Sequence, residues 1–74
     1  MNFEEIQEAI DAFSKAIELD SRDVWALKNR ACAHDSLGKN EEALADYTRV
    51  IDLDSKDAWA WKNRGCVYFS AGDY

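Results

Sequence analysis

Two cysteines and one histidine are the residues of this chain best suited to metal or redox chemistry. Cys32 and His34 are two positions apart, and Cys66 follows Cys32 after 34 positions. Residues two apart point to different sides of a helix, so Cys32 and His34 are poorly placed to share a metal ion. Cysteines on neighbouring helices lie roughly 10 Å apart, beyond the reach of a disulfide. We therefore predict no metal site and no cofactor.

The chain carries none of the common sequence motifs that indicate an active site. The sequence has no phosphate-binding glycine loop, no nucleophile elbow and no metal-ligand motif. Its many carboxylates follow the pattern of a solvated outer helix face. We therefore predict that the protein is not an enzyme, and we assign it no catalytic residue.

Size and charge narrow the classes of partner. The chain has 74 residues and a net charge of −6, which fits one small acidic domain and lacks the clustered basic footprint of a nucleic-acid-binding surface. No apolar run approaches the roughly 20 residues of a membrane span. The N-terminus is acidic, unlike a signal or transit peptide. We predict a cytoplasmic protein without nucleic-acid or membrane partners.

The chain repeats itself with a period of 34 residues. Residues 24–38 match residues 58–72 at eight of fifteen positions, and residues 4–23 match residues 38–57 at seven of twenty. Conservative replacements such as Phe13 for Tyr47 account for much of the difference. A single period in both halves indicates a stacked repeat architecture.

Apolar residues recur every three or four positions in each segment of the repeat. This spacing predicts four helices, near residues 4–20, 24–37, 41–54 and 58–71. Short polar side chains that can cap a helix N-terminus, and glycines that suit the left-handed turn after a helix, mark the boundaries. The predicted caps are Asn2, Asp23, Asn40 and Asp57, and the predicted turn glycines are Gly38 and Gly72.

Small and aromatic residues at fixed offsets resemble the tetratricopeptide repeat, a 34-residue unit of an A helix followed by a B helix. The resemblance covers essentially the whole chain and rests on Ala9, Phe13, Ala16, Leu27, Ala31, His34, Gly38, Ala43, Tyr47, Val50, Trp61, Gly65, Tyr68 and Gly72. It implies an all-α fold, a right-handed stack of antiparallel helices forming a fragment of an α-solenoid. It also implies that Phe13 and Tyr47 fill gaps between repeats.

Several positions carry residues that are unusual for the family. Ser21 and Ser55 stand where proline is usual, which makes the corner after each B helix less rigid. Arg30 and Arg64 stand where leucine is commoner, so we expect packed stems and charged heads that reach out to water. Gly65, like Ala31, is expected where two helices cross closely.

The whole chain, residues 1–74, forms one predicted module. The repeat register divides this module into a B-type half repeat at 1–23, a full repeat at 24–57 and an A-type half repeat at 58–74. Each half repeat leaves a face without its neighbour, and we see no polar capping helix. These faces either meet neighbours in a longer array, the reading we favour, or associate with another copy. The candidate self-association residues are Ala9, Phe13, Ala16, Trp61, Arg64, Gly65 and Tyr68.

The family resemblance implies that the A helices line a concave peptide-binding groove. Helical spacing puts one stripe of aromatic, basic and amide residues on each A helix: Trp25, Lys28, Asn29, Cys32 and Ser36 on the first, and Trp59, Lys62, Asn63, Cys66 and Ser70 on the second, with Phe69 adjoining. The A helices are richer in cations than the acidic B helices, which predicts a mildly basic groove.

We therefore predict a protein–protein interaction module, or scaffold, that binds a peptide or partner protein, acidic in character, in this groove. The alternative is a self-assembling repeat unit that forms homo-oligomers through its unpaired terminal helices.

Overall fold

The computed structural model describes residues 2–72, which form four helices and no strands. The helices are α1, Phe3–Leu19; α2, Val24–Ser36; α3, Asn40–Leu53; and α4, Ala58–Ser70. Each predicted helix boundary is met to within one residue, so the all-α prediction is confirmed. Asp73 and Tyr74, which end the predicted last half repeat, lie outside the described residues.

Three of the four predicted caps close their helices. The side-chain carboxylate or amide oxygens of Asn2, Asp23 and Asp57 accept hydrogen bonds from the backbone N–H three residues later, at 2.9–3.1 Å. Each bond satisfies a donor that would otherwise have no partner within the helix.

The predicted cap at Asn40 is wrong, because Asn40 is already the first residue of α3 and Lys39 holds the cap position without a side-chain bond. The turn before it explains the shift. Gly38 adopts φ 74°, its N–H donates to the Asp35 carbonyl, and the Lys39 N–H donates to the His34 carbonyl. This Schellman turn closes α2 and starts α3 immediately, leaving no room for a separate capping residue.

Most of the core lies between α2, α3 and α4, and α1 adds buried Ile10 and half-buried Ile17. Short turns join the helices, and each packs chiefly on its neighbours in the chain. One buried cluster comprises Leu27, Val50, Ile51 and Ala60, and the other comprises Ala31, Ala43, Tyr47 and Val67. Tyr47 is 1% exposed and fills the gap between repeats as predicted. Its counterpart Phe13 is only half-buried, because α1 packs on one neighbour instead of two.

Gly65 does not lie at a helix crossing, which corrects the expectation from its alignment with buried Ala31. A Cβ atom added at Gly65 would meet no other atom within 4 Å. The face of α4 that carries Gly65 is exposed, since no described helix packs against it.

Substitution by alanine is expected to change the free energy of unfolding in opposite directions at Gly38 and at Gly65. Gly38→Ala places a Cβ at φ 74° and should lower the free energy of unfolding by about 1 kcal/mol. Gly65→Ala fills open space in an ordinary helix and should raise it by about 0.5–1 kcal/mol. Urea denaturation followed by circular dichroism at 222 nm measures both. Equal effects of the two substitutions would contradict the backbone conformations described.

Candidate binding groove and open helix faces

A tryptophan at the start of each A helix lies edge-on against the aromatic residue of the preceding B helix. The rings of Phe13 and Trp25 are 5.6 Å apart and inclined at 74°, and those of Tyr47 and Trp59 are 5.8 Å apart and inclined at 66°. These T-shaped pairs fix the tryptophan rings by packing. Trp25 nevertheless remains 66% exposed and Trp59 40% exposed, so each indole offers a held apolar surface to solvent.

The polar members of the predicted groove stripe are partly used within their own helices. Asn29 donates an amide N–H to the Trp25 carbonyl and Asn63 does the same to the Trp59 carbonyl, each at 2.8 Å. Ser36 donates its hydroxyl to the Cys32 carbonyl at 3.0 Å. An amide has two N–H donors and an acceptor oxygen, so each asparagine keeps capacity for a ligand.

Lys28 ties the two repeats together. Its ammonium forms an ion pair with Asp57 and lies 5.2 Å from the centre of the Trp59 ring. The hydrogen bond from Lys28 lowers the pKa of Asp57, which also caps α4. Lys28 therefore supports the start of the next A helix, and its charge is compensated inside the chain.

Arg30 does not extend its guanidinium into water, contrary to the sequence expectation. Its Nε and Nη2 donate to the two carboxylate oxygens of Asp46 at 2.8 and 2.7 Å, and its Nη1 donates to Ser14 Oγ at 3.1 Å. Asp46 is 5% exposed, so this is a nearly buried fork-to-fork pair. The hydrogen bond to Asp46 raises the pKa of Arg30. Packing three helices around Arg30 placed partners within its reach.

Arg64 repeats only part of that arrangement. Its Nη1 donates to Thr48 Oγ1 at 3.2 Å, and its guanidinium carbon lies 4.6 Å from the centre of the Trp61 ring. Thr48 stands where Ser14 stands one repeat earlier. Among residues 2–72 no carboxylate pairs with Arg64. The Thr48 hydroxyl and the Trp61 ring therefore hold its guanidinium group.

These contacts change the electrostatics predicted for the groove. Two of the four cations on the A helices, Lys28 and Arg30, are neutralised by carboxylates of this chain. Lys62 is exposed and makes no ion pair with any described residue. The positive charge open to a ligand on this stripe is therefore concentrated at Lys62.

An apolar groove of about 290 Å³ lies between α1 and α2. It is lined by Ile6, Ala9, Phe13, Asn29, Cys32, Ala33 and Ser36. Three groove residues predicted on α2 thus meet two predicted self-association residues of α1, while Ala16 lies outside the lining. Ile6 and Ala33 were not predicted. Ile6 could have been found from its spacing of three and seven to Ala9 and Phe13, and Ala33 from its alignment with buried Val67.

The open face of α4 carries Trp61, Arg64, Gly65 and Tyr68. Trp61 is 47% exposed although its counterpart Leu27 is 2% exposed. The Trp61 indole N–H donates to the Ser55 carbonyl at 2.9 Å, which lays the ring along the end of α3 beneath Arg64. Arg64, Gly65 and Tyr68 follow Trp61 at three, four and seven positions, so helical spacing puts the four predicted residues on one side of α4.

The cysteines and the histidine are not brought together as a site. Cys32 Sγ lies 3.4 Å from the Tyr47 hydroxyl, Cys66 is exposed, and both thiols are free. Burial and the contact with Cys32 raise the pKa of Tyr47. Within residues 2–72 no three His, Cys, Asp or Glu side chains are grouped to hold a metal ion.

His34 is the one titratable side chain with a buried atom that lacks a hydrogen-bond partner among the described residues, at Nδ1. Burial lowers its pKa from the ordinary value of 6.5. Of the nearby charges, Asp46 raises this pKa and Arg30 lowers it. The folded state thus takes up a proton less readily than the unfolded chain.

The contribution of His34 to the free energy of unfolding should consequently be largest above about pH 6.5. It should decrease as the pH drops below that value toward the lower pKa of His34 in the folded state, because the unfolded chain then binds the proton more readily. Urea titrations between about pH 5 and 7.5 measure the slope. His34→Gln removes the titrating group and should flatten this part of the profile. An unchanged slope in that variant would assign the effect to other groups.

The geometry defines a class of protein: an all-α helical repeat with exposed aromatic side chains on its A helices, whose first and last helices each keep a face on which no described helix packs. In the part of the chain that is described, no helix combines the length and apolarity that crossing a membrane requires. A family profile described as TPR repeat matches residues 33–72, and one described as Tetratricopeptide repeat matches residues 12–45. The chain belongs to the tetratricopeptide repeat family. Comparison with curated proteins gives no significant match.

Proposed function

We propose that this protein binds a peptide segment of a partner protein along the stripe formed by α2 and α4. The family consists generally of protein–protein interaction modules. The observation that carries the proposal for this chain is the exposure of three large aromatic side chains on the stripe, Trp25 at 66%, Trp59 at 40% and Phe69 at 72%. Exposed aromatic residues beside polar groups are typical of binding surfaces.

The groove between α1 and α2 supports the same proposal. It continues the stripe at Asn29, Cys32 and Ser36 and adds an apolar floor from Ile6 and Phe13. A volume of about 290 Å³ suits one large apolar side chain of a bound peptide. The peptide would place this anchor against Phe13 and extend across Trp59 toward Lys62.

We propose an acidic peptide, with Lys62 as the residue that selects it. The argument rests on charge: Lys28 is paired with Asp57, whereas Lys62 is exposed on the same stripe without an ion pair among the described residues. A carboxylate near Lys62 would gain an attraction that the remaining acidic surface does not offer. Cytoplasmic location, scaffolding and the absence of catalysis remain part of this proposal.

Selection of a displayed random peptide library on the 74-residue chain provides ligands for a quantitative test. Lys62→Glu should weaken binding of the selected acidic peptides about tenfold, because it exchanges an attraction at the surface for a repulsion. Lys15→Glu makes the same charge change on the exposed side of α1 and should have little effect. Lys28→Glu is unsuitable as the main test because it breaks the contact with Asp57.

Isothermal titration calorimetry measures the affinities, and sedimentation equilibrium confirms that each variant keeps the oligomeric state of the parent. Equal affinity of the parent and Lys62→Glu would contradict the assignment of Lys62. Selected peptides whose binding is unaffected by substitution of Trp25 and Trp59 would contradict the stripe as a whole.

A second candidate function is self-association through the unpaired faces of α1 and α4. The half-open groove on α1, lined by Ala9 and Phe13, and the exposed Trp61 favour it. Phe13→Glu and Tyr68→Glu should each reduce the mass measured by light scattering at high concentration. A mass near 8.4 kDa for the parent chain at every concentration would contradict this candidate.

A further inference from the structure

The stripe carries two lysines at equivalent positions of the repeat, and they differ in their partners. Lys62 is exposed and has no ion pair among the described residues, whereas Lys28 is paired with Asp57. The side chain of Lys28 is 28% exposed and that of Asp57 is 10% exposed. A bound peptide can therefore reach Lys28, but the charge of this lysine is already compensated by a carboxylate of the same chain.

The contact at Lys28 also covers an aromatic ring. The Lys28 ammonium lies 5.2 Å from the centre of the Trp59 ring, which Tyr47 holds from the edge at 5.8 Å between ring centres. The position of Trp59 therefore has a support besides Lys28. Trp59 is 40% exposed, against 66% for Trp25, which no described lysine covers. In the free chain one contact thus withholds both a cation and part of an aromatic face from a ligand.

Asp57 has a second role that does not need Lys28. Its side chain accepts a hydrogen bond from the Ala60 N–H at 3.1 Å and so caps α4. Asp23 makes the equivalent bond to the Ala26 N–H at 3.0 Å and has no ion pair among residues 2–72. An aspartate therefore caps an A helix of this chain without a lysine beside it. Breaking the ion pair leaves the Asp57 carboxylate with a hydrogen-bond partner and α4 with its cap.

The ion pair is weak enough for a ligand to replace. A pair near the surface changes an equilibrium constant by about fivefold at most. A peptide carboxylate offers Lys28 the same attraction, so the exchange costs little. An acidic peptide that binds beside the intact pair instead meets the negative charge of Asp57, which repels it.

We propose that Asp57 is an internal competitor for Lys28, and that a carboxylate of the bound peptide takes its place on the Lys28 ammonium. This inference rests on the proposed binding of an acidic peptide, and it adds a second cation to the exposed Lys62. In the complex Lys28 pairs with the ligand, and Asp57 remains as the cap of α4. Asp57 thereby lowers the affinity for acidic ligands in general and favours peptides with two carboxylates, one for each lysine.

Replacing Asp57 with asparagine separates its two roles, because asparagine caps a helix about as well as aspartate but carries no charge. The strongest acidic peptide selected on the 74-residue chain should bind Asp57→Asn about fivefold more tightly than the parent in isothermal titration calorimetry. Asp23→Asn makes the same change at the cap of α2, where no described lysine is paired, and should alter the affinity by less than about twofold.

Lys28→Met decides whether the gain depends on the released lysine. On this background Asp57→Asn should give no gain, and the difference between the two backgrounds is the coupling that a double-mutant cycle measures. The selected peptide with glutamine in place of each acidic residue should not distinguish Asp57→Asn from the parent. Circular dichroism at 222 nm checks that each variant keeps the helix content of the parent.

Equal affinity of the acidic peptide for the parent and for Asp57→Asn overturns the inference. A gain that survives in Lys28→Met overturns it as well, because it reflects only the loss of one negative charge near the ligand. So does an equal gain for the glutamine peptide. These three results leave the proposed function standing. If the selection yields no peptide that binds the parent, the proposed function fails and this inference fails with it.

Discussion

Replacing Asp46 with alanine is expected to lower the free energy of unfolding by about 2–3 kcal/mol. Asp46 is 5% exposed and accepts two charge-assisted hydrogen bonds from Arg30. Its removal leaves the guanidinium among three helices with Ser14 as its one remaining hydrogen-bond partner among the described residues. The loss stays below that of a fully buried pair because the Arg30 side chain is 24% exposed, so water can partly replace the carboxylate.

Two matched variants test this explanation in urea denaturation. Arg64→Met removes the repeat counterpart of Arg30, which lacks a carboxylate partner in residues 2–72, and should cost no more than about 1 kcal/mol. Arg30→Met combined with Asp46→Leu should recover much of the loss from Asp46→Ala, since an apolar pair leaves no unpaired charge. If Asp46→Ala proves as mild as Arg64→Met, the pair contributes little to folding.

Tyr47→Ala should have a still larger effect, about 3–5 kcal/mol, which is the range for truncating a buried aromatic side chain. Tyr47 is 1% exposed, belongs to the cluster with Ala31, Ala43 and Val67, and supports the Trp59 ring from the edge. A loss of this size is comparable to the whole stability of a domain of this length. The variant should therefore be largely unfolded at room temperature.

Phe13→Ala is the matched control, because Phe13 holds the same position one repeat earlier and makes the same edge contact with Trp25. Phe13 is half-buried beside an open groove, so its removal should cost only about 1–2 kcal/mol. Thermal unfolding followed at 222 nm ranks the two variants. Similar losses would mean that burial between repeats does not distinguish these two aromatic residues.

The helices could be predicted because their determinants are local. Apolar spacing fixed the four segments, and the short side chains of Asn2, Asp23 and Asp57 marked three N-termini that the structure confirms. Asn40 misled because the turn at Gly38 joins two helices so tightly that Lys39 ends one and precedes the other. That coupling depends on hydrogen bonds between the two helices' ends and not on the identity of one residue.

The candidate site was harder to predict because its properties depend on which side chains meet. In the prediction from sequence, Lys28 and Arg30 contribute positive charge to the groove. In the structure, Asp57 and Asp46 neutralise them. Comparison of the repeats could not suggest the second pair, since Ala12 stands where Asp46 would be expected one repeat earlier. The groove at Phe13 likewise arises from what α1 leaves uncovered, which apolar spacing alone does not describe.

The position of Arg30 also bears on how the molecule unfolds. Each helix packs chiefly on its neighbours in the chain, which by itself would let the array open one helix at a time. Arg30 on α2 bonds to Ser14 on α1 and to Asp46 on α3, so one guanidinium joins three successive helices. Separating α1 from α2 therefore disturbs the same side chain that holds α3, so we expect these three helices to unfold more cooperatively than packing between neighbouring helices alone would allow.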